Sequence, residues 1–180
     1  RQSAEIQSFL MQTSILGRLC NDLCDAVVER AGSQAMLEYF QHSNLFVIAL
    51  DDERRWYRYH HLFAEVLRQR LQHGTASAGG AGGWDIPELH RRASAWHARH
   101  GPPADAIRHA LLAEDFERAA GLIEGAWPAM DARFQTGIWL GWAKGLPEAL
   151  IRARPPLSVG YAWALLNAGA LEGAEARLRD

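Results

Sequence analysis

The feature that most constrains this chain is a change of hydrophobic period between Leu45 and Tyr59, with helical patterns on both sides. Leu45 to Leu50 is a continuous apolar run, Asp51-Asp52-Glu53-Arg54 is charged, and Trp56, Tyr57 and Tyr59 form a second, aromatic run. Two β-prone runs around a short polar turn predict a hairpin. Upstream, Ile6, Phe9, Leu10, Ile15 and Leu16 fall near a 3.6-residue period and predict a helix over 5–16. Gly17 breaks that pattern, and Asn21 or Asp22 then reads as the cap of a second helix carrying Leu23, Ala26, Val27 and Val28. Gly32 ends the second helix, and Ser33 is the expected cap of a third bearing Met36, Leu37 and Phe40. From His61 the helical period resumes through Leu62, Phe63, Val66, Leu67 and Leu71. Three helices, a hairpin and a closing helix describe a winged-helix module over 1–73.

The tract Gly74 to Gly83 (GTASAGGAGG) has no side chains able to build a core and is expected to be a flexible linker between domains. Beyond it, 84–180 reads as helical throughout, with turn signals about every dozen residues, the pattern of helix-pair repeats. Leu89, Ala93 and Trp96 form one stripe, Gly101-Pro102-Pro103 stops it, and Ala106, Ile107, Ala110 and Leu111 make an antiparallel partner. Gly101 precedes Ala106 by five positions and Gly169 precedes Ala174 by five, and the glycines stand 68 positions apart, twice the roughly 34-residue tetratricopeptide period. Gln135, midway between them, does not show the pattern, so the middle repeat is degenerate. The predicted class is therefore mainly α: a winged helix followed by tetratricopeptide-like helical hairpins.

Bulk properties set limits on function. A 48% hydrophobic, 22% charged composition is that of a folded chain, and seven Trp demand a substantial core or a ligand face. A net charge of −2 argues against a chain built to hold nucleic acid. The third helix, the reader in a DNA-binding winged helix, carries Glu38 and no Arg or Lys, so no direct duplex contact is expected from it. No apolar run approaches the roughly 20 residues of a membrane span, and no signal-peptide pattern opens the chain, so a cytoplasmic location is expected. Arg1 in place of Met, and a helical pattern still running at Asp180, suggest a piece of something longer. Cys20 and Cys24, four apart on one helix, read as two reduced thiols.

Three segments, FLMQTSILGRLCNDLCDAV (Phe9 to Val27), NLFVIALDDERRWYRYHHLFAEVLRQRL (Asn44 to Leu71) and GLPEALIRARPPLSVGYAWALLNAGALEGAEARL (Gly145 to Leu178), together resemble the MalT-type, large ATP-binding LuxR-family transcriptional regulators of bacteria. The resemblance covers nearly the whole chain. It implies a longer protein with a P-loop ATPase region, then a winged helix, then an inducer-sensing helical superhelix, and finally a DNA-reading helix-turn-helix. This chain matches the second part and the start of the third. ATP or ADP is implied for the full-length protein, with the upstream ATPase region as a partner of this module. The chain itself holds no G-x-x-x-x-G-K-[ST]: its sole Lys, Lys144, is followed by Gly145. No catalytic constellation stands out either, so neither enzyme activity nor a cofactor is expected of this chain.

The wider class of signal-sensing ATPases carries a Met-His-Asp motif where the second hairpin strand meets the closing helix, and its His touches the β-phosphate of bound ADP. Tyr59, His60 and His61 occupy those positions here, with Leu62 after them, so the resemblance implies a nucleotide-sensing role for His60 and, less directly, His61 in place of the Asp. A helix N-terminus favours anions, and an imidazole there can donate to a phosphate oxygen. A His60–His61 metal pair is not expected, because adjacent side chains point apart. His90, His97, His100 and His109 are better read as scattered, solvent-facing residues than as a metal set. Trp139, Trp142 and Trp163, with Trp127, either fill the space between stacked helices or line a surface for a small-molecule inducer or protein partner. A plain helical-repeat scaffold with no nucleotide link is the competing reading.

Overall fold

The computed structural model describes residues 4–43, 46–77 and 83–179. Two compact units divide after Trp96. In the first unit, α1 (Ala4–Thr13), α2 (Asn21–Val28) and α3 (Ser33–His42) precede a hairpin of β1 (Val47–Ala49) and β2 (Tyr57–Tyr59), and α4 (His61–Ser77) closes it. The strands are antiparallel, with Val47 opposite Tyr59 and Ala49 opposite Tyr57. Leu19 pairs with Tyr57 through two 2.8 Å backbone hydrogen bonds on the other side of β2, so the hairpin is tied to the α1–α2 connection. The polar turn is held by Asp51, whose Oδ1 accepts from the Arg55 and Trp56 N–H groups at 2.8 and 3.2 Å. Tyr57 and Tyr59 face inward while Arg58 between them faces out, the period-2 alternation of a half-buried strand.

The caps of the first unit depart from expectation. Cys20, not Asn21, precedes α2, and Gly32 (φ +104°) precedes α3. Ser33 is the first residue of α3, and the helix is capped from a distance: Asp25 Oδ1 accepts from the Ser33 N–H and Asn21 Oδ1 from the Gln34 N–H, both at 2.9 Å. These two side chains satisfy donors that a helix N-terminus leaves orphaned, and at the same time bind α3 to α2.

The unit boundary also differs from the Gly-rich tract. Gly74 to Ser77 continue α4, and residues 78–82 lie outside the described residues. Downstream, α5 (Ile86–His100) starts on Asp85, whose Oδ1 accepts from the Glu88 N–H at 2.9 Å. Its Leu89, Ala93 and Trp96 are buried in the core that also holds Leu23, Val27 and Leu37, and Arg92 donates to the Val27 carbonyl at 3.1 Å. Buried apolar contact, not glycine content, decides where the first unit ends.

The second unit contains α6 (Pro103–Leu112), α7 (Phe116–Ala132), α8 (Thr136–Ala143), α9 (Glu148–Ala153), α10 (Pro155–Asn167) and α11 (Leu171–Arg179). Three of its turns are built alike. Glu114, Phe134 and Gly169 are left-handed at φ +53°, +57° and +76°. Each donates its N–H three residues back, to Leu111, Asp131 and Leu166, at 3.0 Å. The following residue donates five back, from Asp115 to Ala110, Gln135 to Met130 and Ala170 to Leu165. This is the Schellman ending, which satisfies the last carbonyls of one helix and reverses the chain into the next. Five residues on stands a buried residue each time: Ala119, Trp139 and Ala174. The middle turn is thus as regular as the others, one residue from Gln135. Gly101 is a glycine for a different reason: a Cβ there would lie 2.6 Å from His97 Nδ1.

Burial makes the interior of the first unit alkali-sensitive. It pushes the Cys24 thiol well above its usual 9.0 and the Tyr59 phenol far above its usual 10.0. The folded chain therefore keeps protons that the unfolded chain releases. Their contribution to stability is complete below about pH 9 and is lost progressively at higher pH. Denaturation midpoints are expected to fall above about pH 9 and more steeply above about pH 10, and thiol labelling of Cys24 at pH 8 to require denaturant. A Cys24 that labels equally fast in the native state contradicts this.

Candidate functional site

The strand–helix corner is fixed by the residue before His60. Tyr59 is buried, its hydroxyl 2.7 Å from Thr13 Oγ1, and its ring meets Phe63 edge-on at 5.8 Å. Phe63 in turn stacks on Phe46 with centroids 5.1 Å apart. The His60 N–H donates to the Phe46 carbonyl at 2.7 Å, and the His60 carbonyl accepts the first helical bond of α4, from the Ala64 N–H at 2.9 Å. His60 is thus the last residue held by the hairpin and the first held by the helix.

Both imidazoles come together there. His60 is half-buried and His61 exposed, and their ring centroids are 4.5 Å apart with planes tilted by 32°. Divergence of adjacent side chains, expected within a regular strand, does not hold at this corner, where the backbone passes from strand to helix. Two imidazoles at the positive end of a 17-residue helix favour an anion. Arg58, outward on β2, adds positive charge to the same stretch of chain. Around them lie Phe46 at 57% exposure and Leu62 at 64%, with Val66 one turn further on α4. A cavity of about 280 Å³ opens beside Phe46 and Phe63, lined also by Leu10, Met11, Leu67 and Arg70. Phe46 was hidden in the sequence as one residue of an apolar strand; its left-handed φ of +56° puts it outside β1.

The other candidates separate by burial. Trp139 is fully buried, its Nε1 donating to the Ile123 carbonyl at 2.8 Å and its ring edge-on to Trp127 at 4.7 Å. Trp142 is partly buried against the same core. Trp163 is half-exposed, with Nε1 3.2 Å from Asp131 Oδ1, so of the three it is the most open to solvent. His90, His97 and His109 are not solvent-facing: all three are buried, and the rings of His97 and His109 lie parallel at 5.6 Å. His100 is exposed. On α3, Glu38, Tyr39 and His42 are exposed, and Glu38 accepts from Gln34 Nε2 at 2.7 Å.

Three helices, a hairpin tied to an upstream segment and a closing helix define a winged-helix module, followed in this chain by helical hairpins. The sequence profile of the MalT winged helix domain matches residues 1–78, so this part of the chain is similar to that domain. Similarity to curated proteins runs further. The serine/threonine-protein kinase PknK of Mycobacterium tuberculosis is 34% identical over 160 residues, 89% of this chain and 14% of that protein. The HTH-type transcriptional regulator MalT of Klebsiella pneumoniae is 32% identical over 161 residues, and that of Yersinia pestis 30%; each match covers 89% of this chain and 17% of the relative. The chain therefore spans about a sixth of the length of the relatives it matches. Among the described residues, no helix is long and apolar enough to cross a membrane.

Proposed function

We propose that this chain is the regulatory and sensor portion of an ATP-dependent, inducer-responsive bacterial transcriptional regulator, and that His60 reports nucleotide state to the winged helix. The observation that carries this reading is the position of His60: it caps α4, is flanked by a second imidazole, and is fixed through a buried tyrosine. An upstream ATPase region of the same polypeptide would bring ADP or ATP to this corner and dock on the exposed Phe46, Leu62 and Val66. Release of the phosphate contact would free the module. The helical hairpins would take the inducer or a protein partner, with Trp163 the half-exposed tryptophan open to it. Without an Arg or Lys on α3, the module would regulate without touching a duplex.

The test is His60→Ala in the full-length protein. A hydrogen bond to a charged group contributes about 1.5–3 kcal/mol, so ADP affinity is expected to fall roughly 10- to 100-fold, read by titration calorimetry. Basal activity should rise as the ADP-bound resting state loses its hold. Unchanged ADP affinity would remove the nucleotide role and favour a scaffold of helical repeats uncoupled from ATP.

A further inference from the structure

Another cavity of the first unit has no part in the His60 corner. It measures about 280 Å³ and lies between α1 and the start of α3. Phe9, Val28 and Met36 give it an apolar wall, Glu5 and Arg30 line it with opposite charges, and Ser33 lines it as well. Ligand pockets span roughly 300–1,000 Å³, so this one suits a molecule the size of an amino acid rather than a nucleotide.

Ser33 marks this cavity as more than a gap in the packing. The residue is 4% exposed, and its Oγ has no hydrogen-bond partner among the described residues. A serine at a helix start ordinarily spends its hydroxyl on the orphan N–H groups of the first turn. Here Asp25 and Asn21 serve the Ser33 and Gln34 N–H groups, and the Ser33 hydroxyl is left over. A buried hydroxyl without a partner costs the folded state its desolvation, and alanine would fill the position without that cost. Nearby, Arg30 Nη1 lies 2.5 Å from Glu5 Oε1, with both side chains more than half exposed. A guanidinium has more N–H donors than one carboxylate uses, so Arg30 can keep Glu5 and take a second carboxylate.

We propose that this cavity binds a free α-amino acid with an apolar side chain. The ligand carboxylate pairs with Arg30, its ammonium with Glu5, and its side chain packs on Phe9, Val28 and Met36. The same polar head gives the Ser33 hydroxyl the partner it lacks. Charge decides for a zwitterion over a simple acid. Asp25 already places a carboxylate at the start of α3 and repels an unbalanced anion, whereas a zwitterion brings no net charge. Residues of α1, α2 and α3 all line the cavity, so an occupant ties the three helices of the module together. The inference stands whether or not His60 contacts ADP.

The test is titration calorimetry of the 180-residue chain with L-leucine, L-methionine and L-phenylalanine, together with thermal midpoints of the first unit. Saturable binding of at least one is expected, with a midpoint rise of several degrees at about 100 times Kd. Analogues lacking the ammonium or the carboxylate (isocaproate and isoamylamine, for leucine) should bind at least about tenfold more weakly. Ser33→Ala separates ligand from fold. Without ligand its midpoint should equal or exceed that of the parent, because an unsatisfied hydroxyl is gone, while affinity falls about tenfold. Arg30→Gln should weaken binding by a similar factor with little change in midpoint, since its ion pair is at the surface. Absence of both heat and midpoint shift with all three amino acids would overturn the proposal. Full affinity in Ser33→Ala would overturn it by placing the ligand elsewhere in the chain, and isocaproate binding as tightly as leucine would do so by removing the zwitterion. A marked loss of stability in unliganded Ser33→Ala would also overturn it, by assigning the hydroxyl to the fold.

Discussion

Replacing Trp139 with alanine is expected to destabilise the helical-hairpin unit by about 3–5 kcal/mol, the usual cost of emptying a fully buried large aromatic site. The side chain is closely seated. Trp127 packs edge-on against it, Nε1 is bonded to the Ile123 carbonyl, and Gly160 passes so near that a Cβ there would lie 3.0 Å from Cη2. Removal leaves a cavity that these neighbours cannot close and strips the carbonyl of a partner. Set against a typical total stability of roughly 5–15 kcal/mol, that loss should expose α7, α8 and α10 to hydrogen exchange while α1 to α4 stay protected. Trp163→Ala, at a half-exposed site, should cost only about 0.5 kcal/mol. Comparable losses of protection in the two variants would contradict the division of these tryptophans between core and surface.

That division shows where sequence reading stops. Period alone places Trp139 and Trp163 in helices, but both helices are apolar around most of their circumference, so no stripe marks an inner side. The contrast with the first unit is instructive. The switch from helical to strand period at Leu45 to Tyr59 fixed the hairpin, and Tyr57 and Tyr59 alternate around Arg58 as such a strand must. The corner at His60 follows from the same switch. Its supporting partners do not: Thr13 lies 46 residues from Tyr59, and Phe46, on the far side of the hairpin, supplies the carbonyl that holds the His60 N–H. Long-range contacts of this kind leave no periodic trace.

Local rules failed where a distant group supplied what a local one usually does. Ser33 has the composition of a cap, yet Asp25 and Asn21, eight and 13 residues from their N–H partners, do the capping. Glycine marked only one of the three Schellman turns, because Glu114 and Phe134 occupy the left-handed position at some conformational cost, about 1–2 kcal/mol for a residue with a Cβ. The Gly-rich tract suggested a boundary on composition, whereas Trp96, 12 residues beyond Trp84, still belongs to the first core. The composition of a segment and the limit of a folded unit are separate physical properties.

Thr13→Val should destabilise the winged helix by about 1–3 kcal/mol although it preserves shape and adds no polarity. Thr13 Oγ1 donates its one hydrogen to the Phe9 carbonyl at 2.7 Å, so the Tyr59 hydroxyl, also at 2.7 Å, must be the donor to Thr13. Valine leaves that buried phenol without an acceptor, and the full desolvation penalty appears. Tyr59→Phe should cost less, about 0.5–1.5 kcal/mol, because Thr13 keeps its bond to Phe9. Combined, the two changes should be no worse than Thr13→Val alone, since the phenol that valine strands is gone; a coupling of about 0.5–3 kcal/mol is expected between residues in direct contact. Urea midpoints of the four proteins measure it. Strict additivity would mean that the two hydroxyls do not depend on one another, and that the strand entering the His60 corner is held by ring packing against Phe63 rather than by the polar anchor on α1.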